Sequence, residues 1–516
     1  MEQYLHVGQA SDLVKPGDRR LFRFLEILPG FLAWATLVLI IFLSFLTPVF
    51  VAVFIILFDV YWLLKAVYVS LHMRSTFQRM RQNLKKDWLS ELEPLQSWQD
   101  LYHLVILPMA TEPLEVVRES FRGLATIKYP LDRLIVVLAI EQRVGESARR
   151  VADMIKEEFG GQFFKFLITI HPGNLEGEIV GKGSNAAWAG KHVLKEIIEP
   201  LGLSYDRVLV STFDIDTVVP DQFFACLTYS YLTAEKPLRS SFQPIPIFSN
   251  NIWEAPAFAR VFAFSTTFWQ MIQQARPERL VTFSSQSLCL QALVDVGFWQ
   301  TNVVSEDSRI FWQCLLRYDG DWRTVPLVFP VYMDANVAGT FWQTLKNQYR
   351  QIRRWAWGAE NNPYFLFGFI KNKKMPWWQR FHTSLFMIES THSFSTNSII
   401  IFLLGWLPVV VGGSVFTSTI LSYNLPHITR TIMNIAMIGL VSSAIISINL
   451  LPPRPPRYGR FKYFWMALQW LLFPINVVLF GCIPALEAQT RLMLSGKWRL
   501  GFWVTPKSRT STTRNE

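Results

Sequence analysis

Residues 208–216 read Val-Leu-Val-Ser-Thr-Phe-Asp-Ile-Asp, an apolar run that ends on two carboxylates. The run has the length and branching of a buried strand, and Asp214 and Asp216, two apart on extended chain, point the same way. Paired carboxylates at a strand end suit a divalent cation, because Mg²⁺ or Mn²⁺ takes hard oxygen ligands and keeps positions open for phosphate oxygens. Alone, the pair is equally what a surface turn or helix start carries. Its surroundings give it a context. Residues 104–107, 134–139 and 166–170 are further short apolar runs, and helical spacing marks 114–121, 148–159 and 185–198 between them. This alternation predicts an α/β domain with a mostly parallel, nucleotide-binding type of sheet, whose ligands sit at the carboxyl ends of the strands.

Farther out the chain becomes hydrocarbon. Residues 28–64 are almost uninterrupted apolar sequence, too long for a signal peptide, and Pro48 divides them into spans at 28–46 and 49–69. Lys15, Arg19, Arg20 and Arg23 precede this hairpin and Arg74, Arg79, Arg81, Lys85 and Lys86 follow it, while the turn carries no Lys or Arg. The positive-inside rule puts both flanks in the cytoplasm. Residues 376–395, with Trp377, Trp378 and Arg380, read as an interfacial helix. Spans follow at 398–411, 432–451 and 464–483, about five in all, and the loop with Arg454, Arg457, Arg460 and Lys462 reads as cytoplasmic. The basic tail, with Arg491, Lys497, Arg499, Lys507 and Arg509, also asks to be inside, although a full last crossing puts it outside. Pro474 and Pro484 leave a re-entrant last segment open. Asp59, in the middle of the second span, is costly there and either lines a path or pairs with Lys65. The expected division is 1–72, segment and hairpin; 73–375, catalytic domain; 376–395, interfacial helix; 396–490, membrane helices; and 491–516, tail.

Composition agrees. Of 516 residues 51% are hydrophobic and 17% charged, and the mean hydropathy is +0.22, which excludes a disordered chain and points to an integral membrane protein. The four cysteines show no metal or disulfide spacing. The net charge of +11 collects at membrane edges, where topology accounts for it, so nucleic acid is not an expected partner.

Two more groups of residues carry chemistry. Val304-Ser305-Glu306-Asp307 precedes a helical, aromatic-rich run; it reads as a helix cap with Ser305 at the cap position, or as the site of a general base. Gln348-Tyr-Arg350-Gln351-Ile-Arg353-Arg354-Trp355 crowds three arginines into five residues. Arg and Trp anchor membrane surfaces, and the same residues make a diphosphate clamp with a stacking face for a sugar.

The ordered set Asp214-x-Asp216, Glu306-Asp307 and Gln351-x-x-Arg354-Trp355, placed between membrane hairpins, resembles the processive family-2 glycosyltransferases, such as the cellulose, hyaluronan and poly-N-acetylglucosamine synthases. The resemblance covers about 103–358 and the membrane layout. It implies a GT-A (Rossmann-like) catalytic domain inserted between transmembrane helices, in which Asp214 and Asp216 bind nucleotide and metal and Asp307 is the catalytic base. Gln351, Arg354, Trp355 and Glu306 would bind the donor diphosphate and the acceptor sugar. Glu112, in Thr111-Glu112-Pro, falls at the family's first loop, and Glu141 where the family has an Asp-Asp-Gly turn; Lys182, in Gly181-Lys182-Gly-Ser-Asn185, resembles its Lys-x-Gly-Asn segment. These are implied nucleotide-sugar contacts. Residues 284–289, Ser-Ser-Gln-Ser-Leu-Cys, replace the usual glycine-rich acceptor stretch.

The implied activity is inverting, Mg²⁺- or Mn²⁺-dependent transfer from a UDP- or GDP-sugar to a growing polysaccharide or membrane-associated acceptor, by a plasma-membrane enzyme whose catalytic domain is cytoplasmic. Two alternatives stand beside it: transfer of one sugar to a lipid carrier, and a catalytically inactive membrane scaffold.

Overall fold

Strands β1 (Tyr102–Met109), β2 (Leu134–Glu141) and β4 (Val208–Thr212) are buried almost throughout, as parallel strands covered by helices on both faces must be. The computed structural model, which describes residues 3–506, extends them into a seven-stranded sheet. β3 (Lys165–His171), β5 (Ser240–Phe248), β6 (Ser287–Cys289) and β7 (Arg323–Met333) complete the order β3-β2-β1-β4-β6-β5-β7. The first four strands are parallel, β6 runs antiparallel between β4 and β5, and β7 is parallel to β5. Because β1 to β4 share a direction, their carboxyl ends form one edge, as the sequence predicts.

Helices Leu114–Ala125, Glu146–Phe159 and Phe223–Thr233 cover one face around Phe121, Phe159, Phe223 and Phe224. On the other face Lys182–Val193, Leu290–Val296, Glu306–Arg317 and Asn361–Lys371 pack about Trp299, Trp312 and Tyr364. Burial of a large apolar side chain is worth roughly 1.5–3 kcal/mol, so the two layers hold the strand ends rigidly. All four cysteines are buried and free.

Among the described residues, Pro16–Leu46, Pro48–Asn83, Ile420–Asn449 and Phe461–Leu494 are long and apolar enough to cross a membrane. Trp377–Phe402 and Leu404–Val411, bent by 48°, make a fifth if taken as one span. Residues 376–395 are thus the start of a longer helix, and 464–483 lie inside one 34-residue helical run. Lys507 and Arg509 fall outside the described residues. Asp59 does not pair with Lys65: its Oδ2 accepts from Thr429 Oγ1 at 3.0 Å, while Lys65 Nζ lies 3.0 Å from Glu389 Oε1. A hydroxyl on a facing helix satisfies the acid at far less cost than a second buried charge.

The sheet sits on these helices. Met73, Phe77 and Met80, at the end of Pro48–Asn83, pack with Ile245 and Ile247 of β5, with Phe264 and Phe268 of the helix Ala257–Gln274, and with Trp470. The site edge is thereby set beside these long apolar helices.

Candidate functional site

Four charged residues from three elements converge at the carboxyl end of β4. Asp214 follows the strand, Lys182 opens the helix Lys182–Val193, and Glu306 and Asp307 open the helix Glu306–Arg317. Lys182 Nζ lies 2.7 Å from Asp214 Oδ1, 2.9 Å from Asp307 Oδ1 and 3.9 Å from Glu306 Oε1. One ammonium therefore holds three carboxylates together. Ser284 Oγ donates to Asp214 Oδ2 at 2.8 Å, and the Asp307 carbonyl accepts from Thr282 Oγ1 at 2.7 Å and Gln286 Nε2 at 3.1 Å. Glu306 is packed so closely on Gly183 that a Cβ there would lie 2.9 Å from its own Cβ.

Electrostatics follow from burial. Desolvation lowers the Lys182 ammonium, but the charges of Asp214, Asp307 and Glu306 outweigh it and hold the pKa above its ordinary value. Burial raises Glu306, and the neighbouring Asp307 charge adds to this against Lys182 and Arg354. Burial also raises Asp307, opposed first by Lys182. Of the two acids Asp307 is the reachable one, with 26% of its side chain exposed against 4% for Glu306.

Asp216 is fully buried, and its Oδ2 accepts from the Asp334 backbone N–H at 2.9 Å. Asp214, a third exposed, is the carboxylate open to the cleft. Among the described residues no group of three or more His, Cys, Asp or Glu side chains is placed to hold a metal ion, and the cation that Asp214 meets in this structure is Lys182. Glu112 Oε2 accepts from the Ala110 N–H at 2.7 Å, within its own loop. Glu141 is held by Arg143 through both oxygens, at 2.7 and 3.2 Å.

The arginine-rich helix Phe341–Ala356 divides its charges. Arg353 Nη1 donates to Glu487 Oε1 at 2.7 Å, an acid also held by Tyr349 and Arg491, so this arginine ties the helix to the apolar helical run Phe461–Leu494. Arg350 lies over the Trp503 ring. Arg354 is the one whose charge bears on Glu306 and Asp307. Its Nε is buried without a hydrogen-bond partner among the described residues, leaving a donor for an anion. Gln351 is buried, its Oε1 accepting from Asn336 Nδ2 at 3.4 Å, and Trp355 lies between Phe248 and Phe262, each with ring centroids 6.1 Å from it.

Sequence reasoning missed three features. Ser284, quoted only as a departure, touches Asp214. Phe502 lies against Gly181 and under the Arg354 guanidinium, 5.1 Å away, and nothing in its local sequence signals this. Ser305 stands at the helix cap position, but its side chain makes no cap bond; the hydroxyl donates to Glu360 Oε1 at 2.8 Å.

The model of the glycosyl transferase family group 2 matches residues 209–480. Comparison with curated proteins returns no match. Among solved structures, the mannosyltransferase PcManGT from Pyrobaculum calidifontis, in complex with GDP-Man and Mn²⁺, is 14% identical with a TM-score of 0.41, over 76% of this chain and 99% of that one. S. aureus TarS 1-349, in complex with UDP-GlcNAc, is 10% identical with a TM-score of 0.36, over 67% of this chain and 92% of that one.

Proposed function

Since the chain belongs to the glycosyl transferase family group 2, we propose that it transfers a sugar, with inversion, from a UDP- or GDP-sugar to an acceptor hydroxyl presented at the membrane. The observation that carries this reading is the convergence of Lys182, Asp214 and Asp307, within Arg354's field, beside membrane helices.

Asp307 takes the proton from the acceptor hydroxyl. Burial raises its pKa, which strengthens it as a base, and Lys182 opposes its protonation. Attack from the face opposite the leaving diphosphate inverts the anomeric carbon, so an α-linked donor gives a β-glycoside without a covalent enzyme nucleophile. Negative charge grows on the departing diphosphate, and Lys182 and Arg354 are placed to neutralise it. Diphosphate oxygens compete for Lys182, which releases Asp307 to act. A divalent cation, when bound at Asp214 and Asp216, supplies further charge for the diphosphate. Glu306, Gln351 and Trp355 hold the acceptor and donor sugars, and Glu112 and Glu141 border the nucleotide from the ends of β1 and β2.

The acceptor we favour is a growing polysaccharide, on the strength of Gln351-x-x-Arg354-Trp355. We assign the catalytic domain, 73–375, to the cytoplasmic side of the plasma membrane; the basic flanks of the first hairpin support the cytoplasmic side. A lipid-linked acceptor is the second reading, and one observation favours it. Thr282 holds the Asp307 carbonyl, and just upstream of it Arg276 and Arg279 stack on Phe386, and Arg276 also on Tyr68, of the apolar helices. Product analysis after incubation with a panel of UDP- and GDP-sugars tests both: a chelator-sensitive, β-linked polymer supports the first, a singly glycosylated lipid the second, and failure to transfer from any donor refutes the proposal.

A further inference from the structure

Glu360 lies outside every motif above, yet its carboxylate joins two of them. Only 1% of the residue is exposed. Its Oε1 accepts three hydrogen bonds from the segment before the acid pair: Val304 N–H and Ser305 N–H at 2.9 Å each, and the Ser305 hydroxyl at 2.8 Å. Its Oε2 accepts the indole N–H of Trp357 at 2.9 Å and faces Arg499 Nη2 at 3.8 Å. Trp357 follows the helix Phe341–Ala356, three residues beyond Arg354. Next to Glu360, buried Arg309 donates to the Glu360 carbonyl and to Asn361 Oδ1, which fixes the same turn from behind the acid pair.

The cap residue gives the decisive clue. A serine at a helix N-terminus normally spends its hydroxyl on the first-turn N–H groups, and Ser305 instead spends it on Glu360. The position of the first turn, and so of Glu306 and Asp307, is therefore set by a residue on another element. We propose that Glu360 is a positioning residue that fixes Asp307 relative to Arg354, holding one through Val304 and Ser305 and the other through Trp357.

This rests on the reading of Asp307 as the base. In transfer chemistry a misplacement of about 1 Å costs on the order of 100-fold, and such a role shows in turnover, not donor affinity. The experiment uses full-length protein in detergent with whichever UDP- or GDP-sugar the wild type turns over, and measures kcat, donor KM and thermal unfolding. Glu360→Gln keeps the shape but turns an NH₂ toward one set of donors. It is expected to lower kcat about 10-fold, with donor KM within about 3-fold, and Glu360→Ala about 100-fold. Ser305→Ala and Trp357→Phe each remove one bond and should give smaller losses of the same kind; they carry the test if Glu360→Ala does not fold. In an Asp307→Asn background Glu360→Gln should add no further loss. Wild-type kcat in Glu360→Gln, or a lowered unfolding temperature with unchanged kcat per nucleotide-binding molecule, overturns the positioning role while Asp307→Asn stays inactive. Wild-type turnover in Asp307→Asn instead overturns the base assignment beneath it.

Discussion

Replacing Lys182 with methionine removes the cation at the centre of the site and keeps most of its volume. The ammonium lies 2.7, 2.9 and 3.9 Å from Asp214, Asp307 and Glu306, and only 10% of the side chain is exposed. Removing one partner from a buried charge pair costs about 3–5 kcal/mol, because the other charge is left uncompensated. With an unfolding entropy near 2.1 cal/mol/K per residue over a domain of roughly 300 residues, that is a fall of about 5–8 °C in Tm. The loss depends on pH. Glu306 and Asp307 already titrate above their ordinary values in the folded protein, and without Lys182 they rise further. The folded state then prefers them protonated, so the destabilisation grows as pH rises from the ordinary carboxylate range through the raised values and shrinks as pH falls. Thermal unfolding followed by tryptophan fluorescence in detergent, at pH 5 and pH 8, should show most of the loss at pH 8. Added Mn²⁺ should recover more stability in the variant than in the wild type, since Asp214 has lost its cation. An equal loss at both pH values, or none, would show that Lys182 is not the counter-charge of this cluster.

Arg354→Ala should abolish sugar transfer, whereas Arg353→Ala, which leaves Glu487 with Tyr349 and Arg491, should keep turnover within several-fold and cost about 1 kcal/mol of stability; initial rates and unfolding midpoints of the two variants check this. Gly183→Ala would bring a Cβ to 2.9 Å from Glu306 Cβ and 3.4 Å from the Gln300 carbonyl, so the acid pair must shift, and kcat should fall with little change in donor KM. His103, fully buried on β1 and bonded to Thr228 Oγ1, is pushed down to about 3 by burial. Its contribution is present above pH 6.5 and lost as pH falls toward 3, amounting to about 2 kcal/mol by pH 5. The midpoint of unfolding should fall over that range, less steeply in His103→Leu.

The parts of the fold that the sequence predicts are those set by local chemistry. β1, β2 and β4 read as apolar runs because both their faces are buried, and Pro48 marks the break in the first hairpin because it opens the second helix, at a first-turn position where its missing N–H costs nothing. β5 and β7 were not legible: Pro244 and Pro246 interrupt one, Pro326 and Pro330 the other, and β5 carries Ser240, Ser241 and Gln243, so neither shows a strand pattern. β6 is three residues long, below any period. In the site, the residue types were legible and their partners were not. Lys182 and Asp307 are 125 positions apart, and only the stacking of two helices on one face of the sheet brings them together. Arg353 and Arg354 look equivalent in sequence, but successive helical residues point about 100° apart, so one meets Glu487 and the other the acid pair.

Asp307, held by Lys182 beside Asp214, is the proposed base of a glycosyl transfer, and nucleoside diphosphate release tests this most directly. Wild type and Asp307→Asn would be compared with the donor that supports turnover, each checked for equal nucleotide binding. Steady release is expected from the wild type, with a loss of at least about 100-fold in Asp307→Asn and binding intact. Release by Asp307→Asn at the wild-type rate would contradict this assignment.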